Sequence, residues 1–308
     1  MALGEFDLIE RYFSQIGESP SVRIGVGDDA AVLELPEGHV HLISTDTAVS
    51  GVHFLPDSQP DVIAYRAIMA AASDIAAMGA KPEGMLLALT LPEANANWLA
   101  SFADGIRSAS ELTLLPLIGG DTTRGPLAIT VTVMGSAPIG CYLTRSGARP
   151  GDRLCVSGTL GDAAAGLAIL HGADTGIAST HVAFLKSRFN QPMARLTLGR
   201  KLNGVATSAI DVSDGLLVDA GHLARSSGVG VTIDREAVPL SVALRAYADP
   251  AQTMEWALRG GDDYELLFTL PAQAEMPDDC TEIGRVSSGV GVRCDGVEKM
   301  TGYDHFGR

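Results

Sequence analysis

The chain is poor in lysine: Lys81, Lys186, Lys201 and Lys299 are the only four in 308 residues. None lies in a glycine-rich loop and no GxxxxGK[ST] segment occurs, so the phosphate cradle of a P-loop enzyme is excluded. The HRD and DFG signatures are missing as well, and the one early GxG runs into Asp-Asp, which is no dinucleotide fingerprint. Cysteine is sparse. Cys141, Cys155, Cys280 and Cys294 form no CxxC pair, which argues against a zinc knuckle or disulfide framework and for a reduced cytoplasmic setting. No apolar run approaches the roughly 18 residues of a spanning helix. Even the Ala-rich stretch from Tyr65 to Ala80 contains Arg66 and Asp74. The first residues, MALGEFDLIERYF, carry acids where a signal peptide needs positive charge. Basic residues number 22 against 37 acids, a net charge of −15, so nucleic acid and anionic lipid are not expected partners.

What is present is apolar residue and glycine. Apolar residues make up 46% of the chain, enough for a large core, and aromatics only 5%. Glu5 to Gln15, Asp61 to Met78 and Ala96 to Glu111 have helical apolar spacing. Val22 to Val26, His39 to Ser44, Met85 to Leu91, Leu114 to Ile118 and Ala128 to Met134 read as strands. From Thr144 the Gly/Pro-rich segment RSGARPGD marks a boundary, predicting domains at 1–143 and 144–308. In the second, Leu154 to Ser157, Ala206 to Ile210, Val229 to Ile233 and Tyr264 to Leu270 read as strands. Gly161 to Leu170, Val182 to Leu202 with a break at Pro192, and Gly215 to Ser226 read as helices. Two α/β or α+β domains follow.

Several of the 35 glycines sit beside acids. Gly25-Val26-Gly27-Asp28-Asp29, Ser44-Thr45-Asp46-Thr47, Gly119-Gly120-Asp121-Thr122-Thr123, Asp211-Val212-Ser213-Asp214-Gly215 and Gly260-Gly261-Asp262-Asp263 read as loops, and Ser73-Asp74 interrupts an Ala-rich helix. Carboxylates with neighbouring hydroxyls are hard oxygen donors of the kind Mg²⁺ takes, and glycine lets backbone N–H groups approach an anion. One Asp of this kind also serves as a turn former or helix cap. Their repetition, and Asp74 in a helix where Asp propensity is poor, point further. His53 follows the Asp46 segment, as a structural donor or a site residue. Arg145 in LTRSG is a hinge surface charge or a phosphate contact.

These segments resemble the thiamine-phosphate kinase family of the aminoimidazole ribonucleotide synthetase-like superfamily. The resemblance is carried by GEFDLIERYF, VGDDAA, STDTAVSGVHF, SDIAAMGAKP, LIGGDTTRGP, LTRSGARPGD, VSGTLGDAAAGL, AIDVSDGL, GGDDYEL and GYDHF. It implies a two-domain α/β fold whose N-terminal domain, 1–143, binds ATP and Mg²⁺ and dimerises through a shared β-barrel, while 144–308 completes the active site. The implied reaction joins ATP and thiamine phosphate to give thiamine diphosphate and ADP. By the same resemblance Asp29, Ser44, Thr45, Asp46, Asp74, Asp121, Asp211 and Asp214 would be ligands of several Mg²⁺ ions, with Asp46, Asp121 and Asp211 at the chemistry. Gly120, Asp121, Arg145 and Ser213 would contact ATP, and His53, Asp262 and Tyr303 the thiamine phosphate. The segment 272–280 is shorter than the family often has, and Asp262 stands where the family also uses Glu.

Two other readings use the same residues. A selenophosphate synthetase would carry a reactive Cys in its N-terminal glycine-rich segment, and the first Cys here is Cys141. A non-catalytic maturation relative would end in Cys, whereas this chain ends HFGR. For the kinase reading the chemistry is consistent, because a phosphate acceptor, with its second pKa near about 6, needs no strong base but does need its repulsion with ATP screened.

Overall fold

The computed structural model describes residues 5–297, 299 and 301–303. Gly4 and Asp304 to Phe306, which belong to quoted motifs, lie outside them. The chain divides into two compact units, one of Met1–Ile75 with Ala80–Gly140, the other of Ala76–Gly79 with Cys141–Arg308.

The first unit begins with α1 (Glu5–Tyr12) and a short antiparallel pair, β1 (Val22–Ile24) and β2 (Val32–Leu33). Then come β3 (His39–Val49), α2 (Pro60–Ala77), β4 (Lys81–Leu91), α3 (Ala96–Thr113), β5 (Leu117–Arg124) and β6 (Ala128–Pro138). Four of these strands form a sheet in the order β3-β6-β4-β5, antiparallel except for the parallel β4–β5 pair. The core holds Ile63, Ile68, Met69 and Ile75 of α2, Leu99, Phe102 and Ile106 of α3, and the alternating Val131 and Val133 of β6, all buried. Alternation sends the next residues of β6, Thr130, Thr132 and Met134, to the opposite face.

The second unit holds β7 (Arg153–Ser157), α4 (Asp162–Leu170), α5 (Ser179–Asn190), α6 (Leu196–Leu202), β8 (Ser208–Val212) and α7 (Leu216–Ser227). It continues with β9 (Gly230–Ile233), α8 (Val242–Tyr247), α9 (Pro250–Arg259), β10 (Glu265–Leu270), β11 (Cys280–Ser287) and β12 (Gly291–Cys294). The sheet order is β12-β9-β11-β7-β10-β8, with β12–β9 the parallel pair. Leu154, Val156, Ile210, Val212 and Leu267 meet Leu216, Leu217, Leu223 and Ala224 of α7 in one core. A satellite cluster joins Ala165, Ile169, Leu185 and Leu244, flanked by the stacked rings of Tyr247 and Trp256.

Three of the segments read as loops are strand. Ser44–Thr47 lies inside β3, paired without interruption to β6, and Gly119–Thr123 lies inside β5, paired to β4. Asp211 is the penultimate residue of β8. Asp and Gly mimic a turn, but Thr45, Thr47, Thr122 and Thr123 are β-branched, and the ladder of a paired neighbour outweighs the local preference. The short α8 and α9 and the final two strands had no clear sequence signal.

Leu114 caps α3 in a left-handed conformation, φ 59°, with 69% of its surface exposed. A branched side chain there costs about 1 kcal/mol relative to glycine and buries little in return. Leu114→Gly should raise the thermal unfolding midpoint, corresponding to a gain of about 0.5–1 kcal/mol; a lower midpoint would show that the side chain contributes more than its exposure suggests.

Candidate active site

In the first unit, β3 and α2 bring three of the expected ligands together. Ser44 Oγ donates to Asp74 Oδ2 at 2.5 Å. Asp46, two residues on and so on the same face of β3, is pushed up to about 6, first by burial of its carboxyl and then by the Asp74 charge. The residue as a whole is nonetheless exposed, so solvent tempers the effect. Two carboxylates and a hydroxyl are all hard oxygen donors, and a divalent cation between them would relieve the repulsion that raises Asp46; the residues present therefore fit Mg²⁺.

Asp121 belongs to a different place. Cross-strand register runs Asp46–Val131–Leu87–Gly120 in one row and Thr47–Thr130–Ala88–Asp121 in the next. Successive rows point to opposite faces, and β3 and β5 are the two sheet edges, so Asp46 and Asp121 are separated by three strand spacings, roughly 14 Å. No single ion can bridge them within this unit. Asp121 instead lines a cavity of about 990 Å³ with Asp28, Asp29, Gly120, His41, Thr130 and Thr132. Thr45 stands on that second face too, its hydroxyl sharing a hydrogen bond with Thr132 at 2.7 Å. Gly120 has φ +154°, and a Cβ on it would lie 1.9 Å from the Leu87 carbonyl oxygen, so only glycine lets β5 approach β4 here. Among the described residues no three His, Cys, Asp or Glu side chains stand at ligating geometry around a common point.

His53 closes the turn after β3. Its Nδ1 accepts from the Val49 N–H at 3.0 Å, which places the ring proton on Nε2, and its carbonyl accepts from Arg66 Nε at 2.9 Å.

The remaining candidates lie in the second unit, where three loops are stitched together by their backbones. The Asp262 N–H donates to the Ser213 carbonyl at 2.9 Å and the Tyr264 N–H to Val212 at 2.9 Å. The Tyr303 N–H donates to the Asp214 carbonyl at 3.0 Å. A Cβ on Gly302 would come within 2.2 Å of that carbonyl. Asp211, Ser213, Asp214, Asp262 and Tyr303 are thus one neighbourhood, although far apart in sequence. Asp262 and Tyr264 both have left-handed φ, 70° and 51°, and the Tyr264 hydroxyl donates to Asp262 Oδ1 at 3.0 Å. Backbone strain of this kind is retained where it aims a side chain. Arg145, on the segment entering this unit, is exposed.

Sequence reasoning missed the acids that hold these loops. Buried Asp219 accepts from the N–H groups of Ser213 and Asp214, both at 3.1 Å, and is pushed up to about 8 by burial and by Asp211 and Asp214. Buried Asp263 accepts from the Gly161 and Ala163 N–H groups at 2.6 and 3.2 Å, capping α4 and pinning the strained 262–264 segment. Buried Glu265 takes the Ser157 hydroxyl at 2.5 Å, Arg188 at 2.9 Å and Arg195 Nε at 2.6 Å. In the first unit buried Glu83 takes the hydroxyls of Ser21 and Ser136, each at 2.5 Å, and Lys81 at 3.0 Å. Burial pushes Glu83 up, but those donors outweigh it and hold the carboxyl low. The available signal was an acid followed by an apolar strand or helix, which is where a buried carboxylate must find donors.

Burial pushes Asp263 up to about 8 despite the opposing effect of Arg188. A carboxyl raised above its unfolded value makes the native state bind the proton more tightly, so this contribution falls as pH rises from about 4 through 8. Asp263→Asn should flatten the decline in unfolding midpoint between pH 5 and 8; an unchanged slope would mean that Asp263 is ionised throughout.

The AIR synthase related protein N-terminal domain model matches residues 27–137, and the C-terminal domain model matches residues 149–295. The chain is 44% identical to the thiamine-monophosphate kinase of Salmonella typhimurium over 99% of both chains. The crystal structure of thiamine-monophosphate kinase from Stenotrophomonas maltophilia K279a superposes with a TM-score of 0.85 at 41% identity, covering 91% of this chain and 92% of that one. The structure of AaThiL complexed with AMPPCP and TMP matches at TM-score 0.82 and 37% identity over 99% of both chains.

Proposed function

The chain belongs to the thiamine-monophosphate kinase family, with the two-domain AIR synthase related fold, and on that premise we propose that it transfers the γ-phosphoryl group of ATP to thiamine phosphate, releasing thiamine diphosphate and ADP. The observation that supports this reading best is full-length similarity to kinases of that name, joined to carboxylate neighbourhoods that have oxygen donors but no P-loop lysine. The AaThiL complex with AMPPCP and TMP supports ATP as co-substrate and thiamine phosphate as acceptor.

In this mechanism the acceptor's phosphate oxygen, largely deprotonated at neutral pH, attacks the γ-phosphorus in line, and no phospho-enzyme forms. Ser44, Asp46 and Asp74 would hold one Mg²⁺; Asp29, Thr45 and Asp121 would serve a separate site on the cavity side; Asp211 and Asp214 would serve the second unit. Bound there, Mg²⁺ supplies charge neutralisation for the phosphates. Gly120 would lend its backbone to ATP, with Arg145 and Ser213 contacting the phosphates. His53, Asp262 and Tyr303 would orient the thiamine moiety, the Tyr303 ring facing the cationic thiazolium. Residues 1–143 and 144–308 are the proposed functional division, in a cytoplasmic enzyme. A homodimer formed through a β-barrel shared by the two N-terminal domains is the proposed assembly.

Incubation with MgATP and thiamine phosphate should release ADP and thiamine diphosphate in equal amounts, and activity should keep rising with Mg²⁺ after all ATP is complexed. ADP release that is indifferent to thiamine phosphate would overturn the reading. Asp46→Asn and Asp121→Asn should each lower kcat by at least ~10²-fold with the fold intact; near-normal turnover in both would remove these carboxylates from the reaction.

A further inference from the structure

A left-handed backbone is rare at a bulky aromatic residue, yet Tyr264 holds one at φ 51°, two residues after Asp262 at φ 70°. The surroundings impose this path. A Cβ on Gly260 would run into the Trp256 carbonyl oxygen and one on Gly261 into the Ser213 carbonyl oxygen, so the chain arrives packed between α9 and the loop that follows β8. The N–H groups of Asp262 and Tyr264 donate to the Ser213 and Val212 carbonyls, which ties the segment down just before β10 begins. Between them Asp263 turns inward to the Gly161 and Ala163 N–H groups at the start of α4. Glu265 anchors the next residue on Arg188 and Arg195. Asp262 and Tyr264 meet each other instead: the phenol hydroxyl, on a residue only 9% exposed, donates to Asp262 Oδ1 at 3.0 Å.

The main-chain bonds and the two buried carboxylates on either side of Tyr264 hold this backbone without the phenol. What the hydroxyl adds is a fixed bearing for the Asp262 carboxylate. We propose that Tyr264 is a positioning residue for the phosphate acceptor, its hydroxyl setting the Asp262 carboxylate in the orientation that meets the cationic thiamine moiety. The assignment rests on the reading that Asp262 faces thiamine phosphate and extends it by a residue to which no contact with either substrate was assigned. A phenol suits the task because its ring is rigid and its hydroxyl is a donor at neutral pH. A carboxylate oriented in advance loses less rotamer freedom when the ligand arrives, so the effect belongs to acceptor binding and not to the nucleotide.

The test uses the full-length chain, calorimetric titration with thiamine phosphate in the presence of MgADP, and steady-state kinetics with both substrates. Tyr264→Phe removes the hydroxyl and keeps the ring. It should raise the Kd and the KM for thiamine phosphate about fivefold, the loss expected for one hydrogen bond, with the KM for ATP within twofold. Asp262→Ala should raise both acceptor constants at least as far, and Tyr264→Phe added to Asp262→Ala should change nothing more, because the hydroxyl acts through that carboxylate. An unchanged acceptor affinity in Tyr264→Phe would overturn the proposal, and with a lowered unfolding midpoint it would leave the hydroxyl a purely structural bond. An equal rise for both substrates, wild-type affinity in Asp262→Ala, or a full further loss in the double variant would overturn it as well. Should the wild type bind thiamine phosphate without turning it over, the functional reading falls while the titrations still decide the role of Tyr264; a wild type that binds none overturns both.

Discussion

Carboxylates held close together with almost no lysine to neutralise them are the constraint around which this molecule is arranged. Burial first, and then the charge of Asp74, raise Asp46 in one unit, and burial first, then the charges of Asp211 and Asp214, raise Asp219 in the other. A fold gains nothing from such repulsion, and a cation beside Asp46 and Asp74 would relieve theirs. An enzyme that brings two phosphorylated substrates together faces the same electrostatic difficulty from the other side. Acidic pockets without ions would repel ATP; with Mg²⁺ they become the positive surface that phosphates need.

The scaffold separates the acids by how they are held. Asp46 and Asp121 sit on the opposite edges of one sheet and on opposite faces, so the sheet itself sorts these acids into distinct places. In the second unit a further set of acids is buried and engaged in structural bonds. Asp263 caps a helix, Asp219 holds the 213–214 backbone, and Glu265 binds two arginines. Removing Arg188 or Arg195 would leave the buried Glu265 carboxylate short of a charged partner.

Much of this was legible in the sequence. The helices over 61–78 and 96–111 followed from alanine content and apolar spacing, and the whole-chain motif set pointed to the family. The position of the acids within elements was not legible, because Ser-Thr-Asp-Thr and Gly-Gly-Asp-Thr read as turns until a neighbouring strand pairs with them. Nor could spacing separate Asp262, which takes its place in the strained loop, from Asp263 beside it, which is a helix cap. That distinction depends on which side chain the left-handed backbone at 262 turns inward.

The most direct test of the central claim is the thermal unfolding midpoint measured against Mg²⁺ concentration without nucleotide, for the wild type and for Asp46→Asn. A cation that binds the native carboxylates and not the unfolded chain must stabilise by mass action. The wild-type midpoint should therefore rise with Mg²⁺, and the rise should be smaller in the variant, which should start from a midpoint at least as high. A midpoint independent of Mg²⁺, or an equal rise in both proteins, would contradict the account.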